Sequence, residues 1–138
     1  MLPEELTKDT FRAKNGEFGW RREQVPAVVA ALREQTQAIL GGELWWVLDG
    51  EHSWSGSIPQ REGPDSVYHW ETERRPNEPW LAFVNRCASN TTEAASVLPG
   101  TDELPPNLPG RILYNLTWVS EAEYATLGSH RRTPEESR

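Results

Sequence analysis

The sequence has little of several residue types on which common functions depend. Cys87 is the only cysteine among 138 residues, which excludes an internal disulfide and is typical of a reducing compartment. The histidines His52, His69 and His130 are scattered, and none lies at metal-ligand spacing from another histidine or from the cysteine. Glycine-rich phosphate-binding motifs are also absent. The sequence therefore predicts no metal site and no cofactor.

Long hydrophobic runs and excess positive charge are lacking as well. No apolar run approaches the length that spans a bilayer, and the first residues lack the pattern of a signal peptide. We therefore expect a cytoplasmic protein without a membrane partner. The formal net charge of −7 argues against nucleic-acid binding, which needs a basic surface. The same charge permits a basic protein partner, although simple solubility also explains it.

Nucleophilic catalysis has one candidate pair in this sequence. Cys87 and His69 could meet if neighbouring strands brought them together. The alternative is that Cys87 is a small buried apolar residue and that His69 faces solvent or a partner. We favour the alternative and predict a protein that has no catalytic residues and is not an enzyme.

The sequence does contain an amphipathic helix that leads into an aromatic strand. Between Val25 and Leu40, apolar residues recur at the i, i+3, i+4, i+7 spacing of a helix that packs one face on a core. Gly41-Gly42 is interpreted as the helix stop, because glycine adopts the left-handed conformation of a C-terminal cap. Residues 44–48 are apolar at every position, which predicts a central strand covered on both faces.

The remaining segments predict a mixed set of elements. Residues 3–14 have helical spacing, and residues 51–64 form a long polar loop. Alternating faces predict strands over residues 65–72 and 111–119. Residues 80–84 fit a short strand before a helix over 94–98 that a capping box at 90–93 would start. One helix over residues 80–98 is the alternative. Ser120 and Glu123 form a second capping box, which predicts a helix that Gly128 ends.

These elements lack the alternating strand–helix rhythm of a parallel sheet. We therefore predict an α+β fold with a mostly antiparallel sheet of about four strands, a long helix and shorter helices packed on one face. One domain is expected over residues 1–128. The polar residues 129–138 are expected to form a disordered tail.

Acidic and aromatic residues concentrate around the first two predicted strands and the loop between them. Interfaces use this combination, because aromatic anchors supply affinity and charges select the partner. Trp54 is the tryptophan without an obvious core role. The predicted partner-binding residues are Trp54, Asp49, Glu51, Asp65, Glu71 and Glu73. Solvated acidic edges around core tryptophans are one alternative, and a catalytic carboxylate pair, as in glycosidases, is another.

Three short motifs resemble those of bacterial polymorphic-toxin immunity proteins. They are Phe18-Gly19-Trp20, Ala38-Ile39-Leu40-Gly41-Gly42-Glu43 with the tryptophans that follow, and Tyr68-His69-Trp70-Glu71. The group they resemble is called immunity protein 40, small α+β proteins with an aromatic-glycine-tryptophan motif, and the likeness spans residues 17–84.

The resemblance implies a cytoplasmic inhibitor that binds a cognate toxin domain and blocks its active site. The acidic residues and the net charge of −7 add the expectation that this toxin domain is more basic. The resemblance carries over no catalytic residues, because such proteins have none. Two other functions stay open. One is a small enzyme or a domain that binds a glycan or small ligand in an acidic, tryptophan-lined cleft. The other is a non-catalytic accessory domain of a larger assembly.

Overall fold

A four-stranded antiparallel sheet with helices on one face organises this protein. The computed structural model describes residues 2–48, 52–55, 68–104, 106–107 and 109–127, with only the backbone described for residues 52–55. The two main helices are α1 (Val25–Glu34) and α2 (Trp80–Val97). Short 3₁₀ turns lie at Glu4–Leu6, Arg22–Gln24 and Thr101–Glu103, and residues 121–127 are helical. The predicted α+β fold class is confirmed.

The central strand of the sheet is β3 (Ala38–Leu48). On one side, β6 (Arg111–Val119) pairs with it along almost its whole length. On the other side, β4 (His52–Ser55) pairs with residues 45–48, and β5 (His69–Glu71) pairs with residues 41–43. The central position that the sequence predicts for residues 44–48 is therefore confirmed.

The main core lies between the sheet and the two helices. The strand β6 has the alternating apolar face that the sequence predicts, and α1 turns its apolar stripe toward α2 and β3. Side chains from α1 and β6 in the main core are Val25, Val28, Val29, Leu32, Ile112, Tyr114, Leu116 and Trp118. Apolar burial of this kind is the dominant favourable term in folding.

On the opposite face of the sheet, the part of the chain that the structure describes covers one end. A two-stranded hairpin, β1 (Phe11–Arg12) and β2 (Phe18–Gly19), lies over that end. Gly19 permits the close approach, since a Cβ there would lie 3.0 Å from the Trp45 ring. The smaller core beneath the hairpin consists of Phe11, Ala13, Trp45, Val47 and Leu113.

The helix predicted between Val25 and Leu40 ends at Glu34, so that prediction is wrong at its C-terminal end. Thr36 adopts a left-handed conformation with φ 54°. Its N–H donates to the Arg33 carbonyl oxygen at 2.9 Å, and the Gln37 N–H donates to the Leu32 carbonyl oxygen at 2.9 Å. This is the Schellman pattern of hydrogen bonds, which satisfies the last carbonyl groups of a helix.

The two glycines interpreted as the helix stop lie inside β3, so that interpretation is wrong. These glycines do not cap the helix; they allow the neighbouring strands and the Trp70 ring to pack closely on β3. A Cβ on Gly42 would lie 2.5 Å from the Trp70 ring and 2.6 Å from the Asn115 carbonyl oxygen, and a Cβ on Gly41 would meet the Trp70 backbone. Trp70 can lie over β3 only because position 42 has no side chain.

Three other sequence expectations need correction. Residues 3–14 contain a 3₁₀ turn and β1 rather than one helix, and Gly16, at φ 92°, lies in the hairpin turn. The loop expected over residues 51–64 includes β4. Residues 80–97 form one helix, so the strand-plus-helix prediction is wrong and its single-helix alternative is correct. The capping box predicted at 90–93 therefore lies within α2.

The second predicted capping box is confirmed. The Ser120 N–H donates to Glu123 Oε1 at 2.8 Å, and the Glu123 N–H donates to Ser120 Oγ at 3.1 Å. The alternation predicted over residues 65–72 is confirmed within β5, because His69 and Glu71 are exposed whereas Trp70 packs against the main core. Residues 65–67 lie outside the described residues.

Candidate functional site

A concave acidic surface opens on the sheet face that the helices leave free. We call it the acidic basin; it has a volume of about 560 Å³. Its floor is the part of the sheet beyond the β1–β2 hairpin, and residues 124 and 127 of the C-terminal helical segment lie at its rim. The polar residues that line it are Glu17, Glu43, His69, Glu71, Thr72, Glu73, Asn115 and Thr117.

The strand register brings the floor of the basin together. Glu43 in β3 lies directly opposite His69 in β5 and opposite Asn115 in β6. One step along the sheet, Gly41 lies opposite Glu71 and Thr117. Because side chains on a strand alternate between faces, residues 41 and 43 and their partners project to the same side.

Hydrogen bonds hold two side chains of the basin floor in place. Glu43 Oε2 accepts a hydrogen bond from Trp45 Nε1 at 3.0 Å, which holds the carboxylate in place. Asn115 is only 4% exposed, and its Nδ2 donates to the Phe18 carbonyl oxygen at 2.9 Å.

Positive charge is turned away from the basin. None of the lysines or arginines in the described ranges lines it. Arg74 donates to the Glu78 carbonyl oxygen and lies over the Trp80 ring, 5.2 Å from its centroid. Arg86 forms an ion pair with the Glu78 carboxylate at 2.8 Å. Among the described residues, no basin carboxylate forms an ion pair with an arginine or a lysine.

The structure brings together two of the predicted partner-binding residues. Glu71 and Glu73 are exposed and line the basin, and neither forms an ion pair with another described residue. Asp49, Glu51 and Asp65 lie outside the described residues. Trp54 lies on β4, where its backbone is opposite Trp46. Its side chain is not among those that the structure describes.

Sequence reasoning missed Glu17, Glu43 and Asn115. Glu43 could have been found, because it lies two residues before Trp45 on the same strand face. Because residues 41–42 are interpreted as a helix stop, residue 43 is not assigned to the same strand as Trp45. Glu17 and Asn115 reach the basin through the hairpin and through β6, and no local pattern signals such long-range pairing.

The Cys87–His69 pair does not form. Cys87 lies on α2 and is fully buried on the helix side of the sheet. Burial raises the pKa of its thiol to about 12, because the thiolate is poorly solvated there. His69 is exposed on the opposite face.

The basin carboxylates are distributed along the strands. Within the described ranges, no group of three or more His, Cys, Asp or Glu side chains lies close enough together to hold a metal ion.

None of the described helices combines the length and apolar character required to cross a membrane.

Comparisons with protein-family models, curated proteins and solved structures find no match to this chain. Its function is therefore inferred from the residues and the geometry of the basin.

Proposed function

We propose that this protein is an immunity protein that binds a cognate bacterial toxin domain and neutralises it by protein–protein interaction, without catalysis of its own. The observation that carries the proposal is the acidic basin, an open sheet face lined by four glutamates with no arginine or lysine from the described ranges. Such a face complements a basic protein surface. The net charge of −7 adds long-range attraction to the same kind of partner.

The arrangement of the three motifs that carry the family resemblance supports this proposal. The first motif is in and after β2, the second forms the first half of β3, and the third leads into and forms β5. Although they are far apart in sequence, they surround the basin: Phe18 holds Asn115, and Glu43 and Glu71 line the floor and wall.

A glycan-binding cleft has less support, because such a site needs aromatic ring faces open to the ligand. Trp45 is 4% exposed beneath the hairpin. Trp70 packs on the helix side of the sheet, where its Nε1 donates to Thr91 Oγ1 at 3.2 Å. These two tryptophans therefore contribute to core packing, and their ring faces do not form a platform for sugar rings.

The test begins with the reading frames next to this gene, one of which should encode a toxin-like domain. Co-expression of the wild-type protein should restore growth to cells that produce this domain, and the two purified proteins should form a complex. Replacing Glu43, Glu71 and Glu73 together with glutamine should weaken the complex at least about tenfold, because each contributes charge to the docking face.

A matched control keeps the change in charge and moves it elsewhere. The triple variant Glu5→Gln, Glu93→Gln, Glu121→Gln alters three exposed carboxylates outside the basin and should bind the toxin domain like the wild type. Equal loss in both triple variants would point to net charge alone. Failure of the wild-type protein to bind or to restore growth would refute the proposed function and favour an accessory role.

Trp54 provides a separate test of the predicted binding residues. If its side chain anchors the partner, Trp54→Ala should lower affinity by about 2–4 kcal/mol and leave the free energy of unfolding nearly unchanged. Isothermal titration calorimetry and urea denaturation of the same variant separate these two effects. A loss of stability with unchanged affinity would assign Trp54 to the core.

A further inference from the structure

We infer that the outer edge of β6 is a docking site for an extended strand of the protein partner, which pairs with the backbone of residues 116–118 beside the acidic basin. The inference rests on the proposed function for the source of this strand. It adds the way in which the partner is held and the side-chain pattern that the bound strand carries.

The first argument is the direction of the backbone groups along β6. The N–H and C=O groups of successive residues in a strand point to alternate edges. At the outer edge, which faces away from β3, Tyr114 exchanges two backbone hydrogen bonds with Trp20, at 2.6 and 2.9 Å. The Ile112 N–H donates to Thr101 Oγ1 at 2.9 Å on the same edge. By this alternation, the backbone groups of the two even-numbered residues in 116–118 also point to the outer edge.

The second argument is that no described strand occupies this end of the edge. β6 pairs with β3, and Trp20 makes an isolated bridge to its outer side. Before Trp20 in the chain, β2 leaves the edge, because Asn115 Nδ2 donates to the Phe18 carbonyl oxygen at 2.9 Å and draws it over the basin face. Within the described ranges, no group pairs with the outward backbone groups of residues 116 and 118.

The third argument is that this edge lacks the features that keep sheet edges from pairing. Natural proteins protect an edge strand with lysine, proline or a bulge. Residues 112–119 contain no charged residue and no proline. The register shift between β3 and β6 lies on the β3 side, between Ile39 and Gly41. The edge at residues 116–118 therefore keeps the ability to pair with another strand.

The fourth argument is the space beside this edge. It is a cleft of about 310 Å³ lined by Gly16, Glu17, Phe18, Leu116, Thr117 and Trp118. A paired strand lies about 4.8 Å from β6, and its side chains alternate between the two faces of the sheet. Its residues opposite positions 116 and 118 project to the helix side, where the partly buried rings of Phe18 and Trp118 favour apolar side chains. The residue between them projects to the basin face, as Thr117 does.

The fifth argument is continuity with the acidic basin. Glu17 and Thr117 line both the cleft and the basin, and both are exposed. The middle residue of the bound strand therefore enters the basin beside Glu17, where charge complementarity favours a basic side chain. The edge thus selects an extended segment with an apolar–basic–apolar sequence. A helix cannot replace this segment, because its backbone groups are bonded within the helix.

Amide hydrogen exchange, measured by NMR, tests whether the edge is open and whether the partner closes it. In the free protein at low concentration, the Leu116 and Trp118 amides should exchange at least about tenfold faster than the amide of Thr117, which points toward β3. In the complex with the toxin domain, exchange of the first two amides should slow at least about tenfold, because they then donate to the bound strand.

Three results of this measurement would overturn the inference. Protection of both amides in the free protein at every concentration would show that another part of the chain covers the edge. Protection that rises with protein concentration would show that a second copy covers it. A toxin complex in which both amides exchange as fast as in the free protein would show that the partner binds elsewhere.

A peptide probe tests the site without the toxin domain. The blocked pentapeptide Thr-Val-Arg-Val-Thr has the required pattern, and its twin carries methyl groups on the two valine nitrogens, which removes those backbone donors and keeps the side chains. The first peptide should shift the Leu116 and Trp118 amide signals in a saturable manner, and the methylated twin should not. A third peptide, with glutamate in place of arginine, should bind at least about threefold more weakly. Equal binding of the methylated twin would overturn the inference, as would no saturable binding of the first peptide.

Variants of Thr117 place the peptide on this edge. Thr117→Arg should weaken binding of the arginine peptide at least about threefold, and Thr117→Glu should strengthen it, because the two side chains lie opposite each other. Thr92→Arg and Thr92→Glu make the same changes of charge at an exposed position of α2 and should leave binding unchanged. Equal effects at the two positions would overturn the inference. Retained chemical-shift dispersion checks that the variants are folded.

The two kinds of measurement distinguish this inference from the proposed function. Toxin binding without protection of the Leu116 and Trp118 amides would overturn the inference and leave the proposed function intact. Saturable peptide binding that is abolished by methylation, in a protein that does not bind the toxin domain, would support the strand site and refute the proposed function.

Discussion

Thr36 shows how one residue decides where a helix ends and a strand begins. A β-branched side chain is uncommon at positive φ, yet Thr36, at φ 54°, connects α1 to β3. Its carbonyl oxygen also accepts a hydrogen bond from Trp80 Nε1 at 2.8 Å. Tertiary contacts therefore hold a conformation that the local sequence disfavours. This explains why the sequence places the helix stop at the nearby glycines instead.

We predict that Thr36→Gly stabilises the protein by about 0.5–1 kcal/mol. Left-handed strain of about 1–2 kcal/mol is relieved, and the greater flexibility of glycine in the unfolded chain offsets part of it. Urea denaturation measures the change. Thr92→Gly, at an exposed position inside α2, is the control and should destabilise. A lower urea midpoint for Thr36→Gly would show that Thr36 is not strained.

Glu78 provides a pH-dependent prediction at the same scale. Hydrogen bonds from Arg86, then from the Arg75 backbone N–H, lower the pKa of this carboxyl from 4.5 to about 2. A lowered folded-state pKa contributes stability above about pH 4.5, and this stability is lost as the pH falls toward 2. Glu78→Gln should therefore be less stable than the wild type at pH 7, with a difference that shrinks by pH 2.

Urea midpoints of both proteins at several pH values check this. Glu93→Gln removes one exposed carboxylate without an ion pair to another described residue and is the control. A difference between wild type and Glu78→Gln that is constant with pH would contradict the linkage.

At the scale of whole elements, the sequence predicts best where local pattern and tertiary environment agree. β6 has an apolar residue at every second position from Ile112 to Trp118 and a capping box immediately after it, so its bounds and its core face follow from the sequence alone. β5 covers three residues of the strand predicted over residues 65–72, and over these three residues the observed faces agree with the predicted alternation.

The longest helix shows where a short window misleads. Residues 80–84 alternate in a way that fits a strand. Over the full element, however, burial recurs at helical spacing, with buried residues Trp80, Phe83, Val84, Cys87, Ala88, Thr91, Ala94 and Ala95. A window of about 11–18 residues is needed to separate the two periods, and five residues are too few.

The docking of α1 on the sheet gives the prediction at this scale. Leu32 is 1% exposed in the main core, so Leu32→Ala should lower the free energy of unfolding by roughly 2–5 kcal/mol through the cavity it leaves. Leu81→Ala makes the same substitution at a leucine of α2 that is 59% exposed and should change stability by less than about 0.5 kcal/mol. Equal urea midpoints for the two variants would mean that α1 is not packed as described.

At the scale of the whole molecule, the basin could be predicted only in part. Glu71 and Glu73 follow from their position on and beside a predicted strand. Glu43 depends on the correct bounds of β3, and Asn115 depends on the register between β3 and β6. Composition and strand alternation thus indicate an acidic face, but the contacts that shape it arise from pairing between distant segments.

The distribution of charge over the two faces leads to the last prediction. Long-range attraction accelerates association with a basic partner and is screened by salt, since the Debye length falls from about 10 Å at 0.1 M to about 3 Å at 1 M. The association rate with the toxin domain, measured by stopped flow, should therefore decrease with rising salt. Glu71→Lys should slow association and flatten this dependence, because it reverses a charge in the basin.

Glu93→Lys is the matched control for position. It changes the net charge by the same amount, but Glu93 lies on α2, on the helix side of the sheet. If the basin is the docking face, Glu71→Lys must reduce the association rate at low salt more than Glu93→Lys does, and the two rates must converge at high salt as screening removes the difference. Equal effects of the two variants at every salt concentration would mean that total charge, not the basin, directs the encounter.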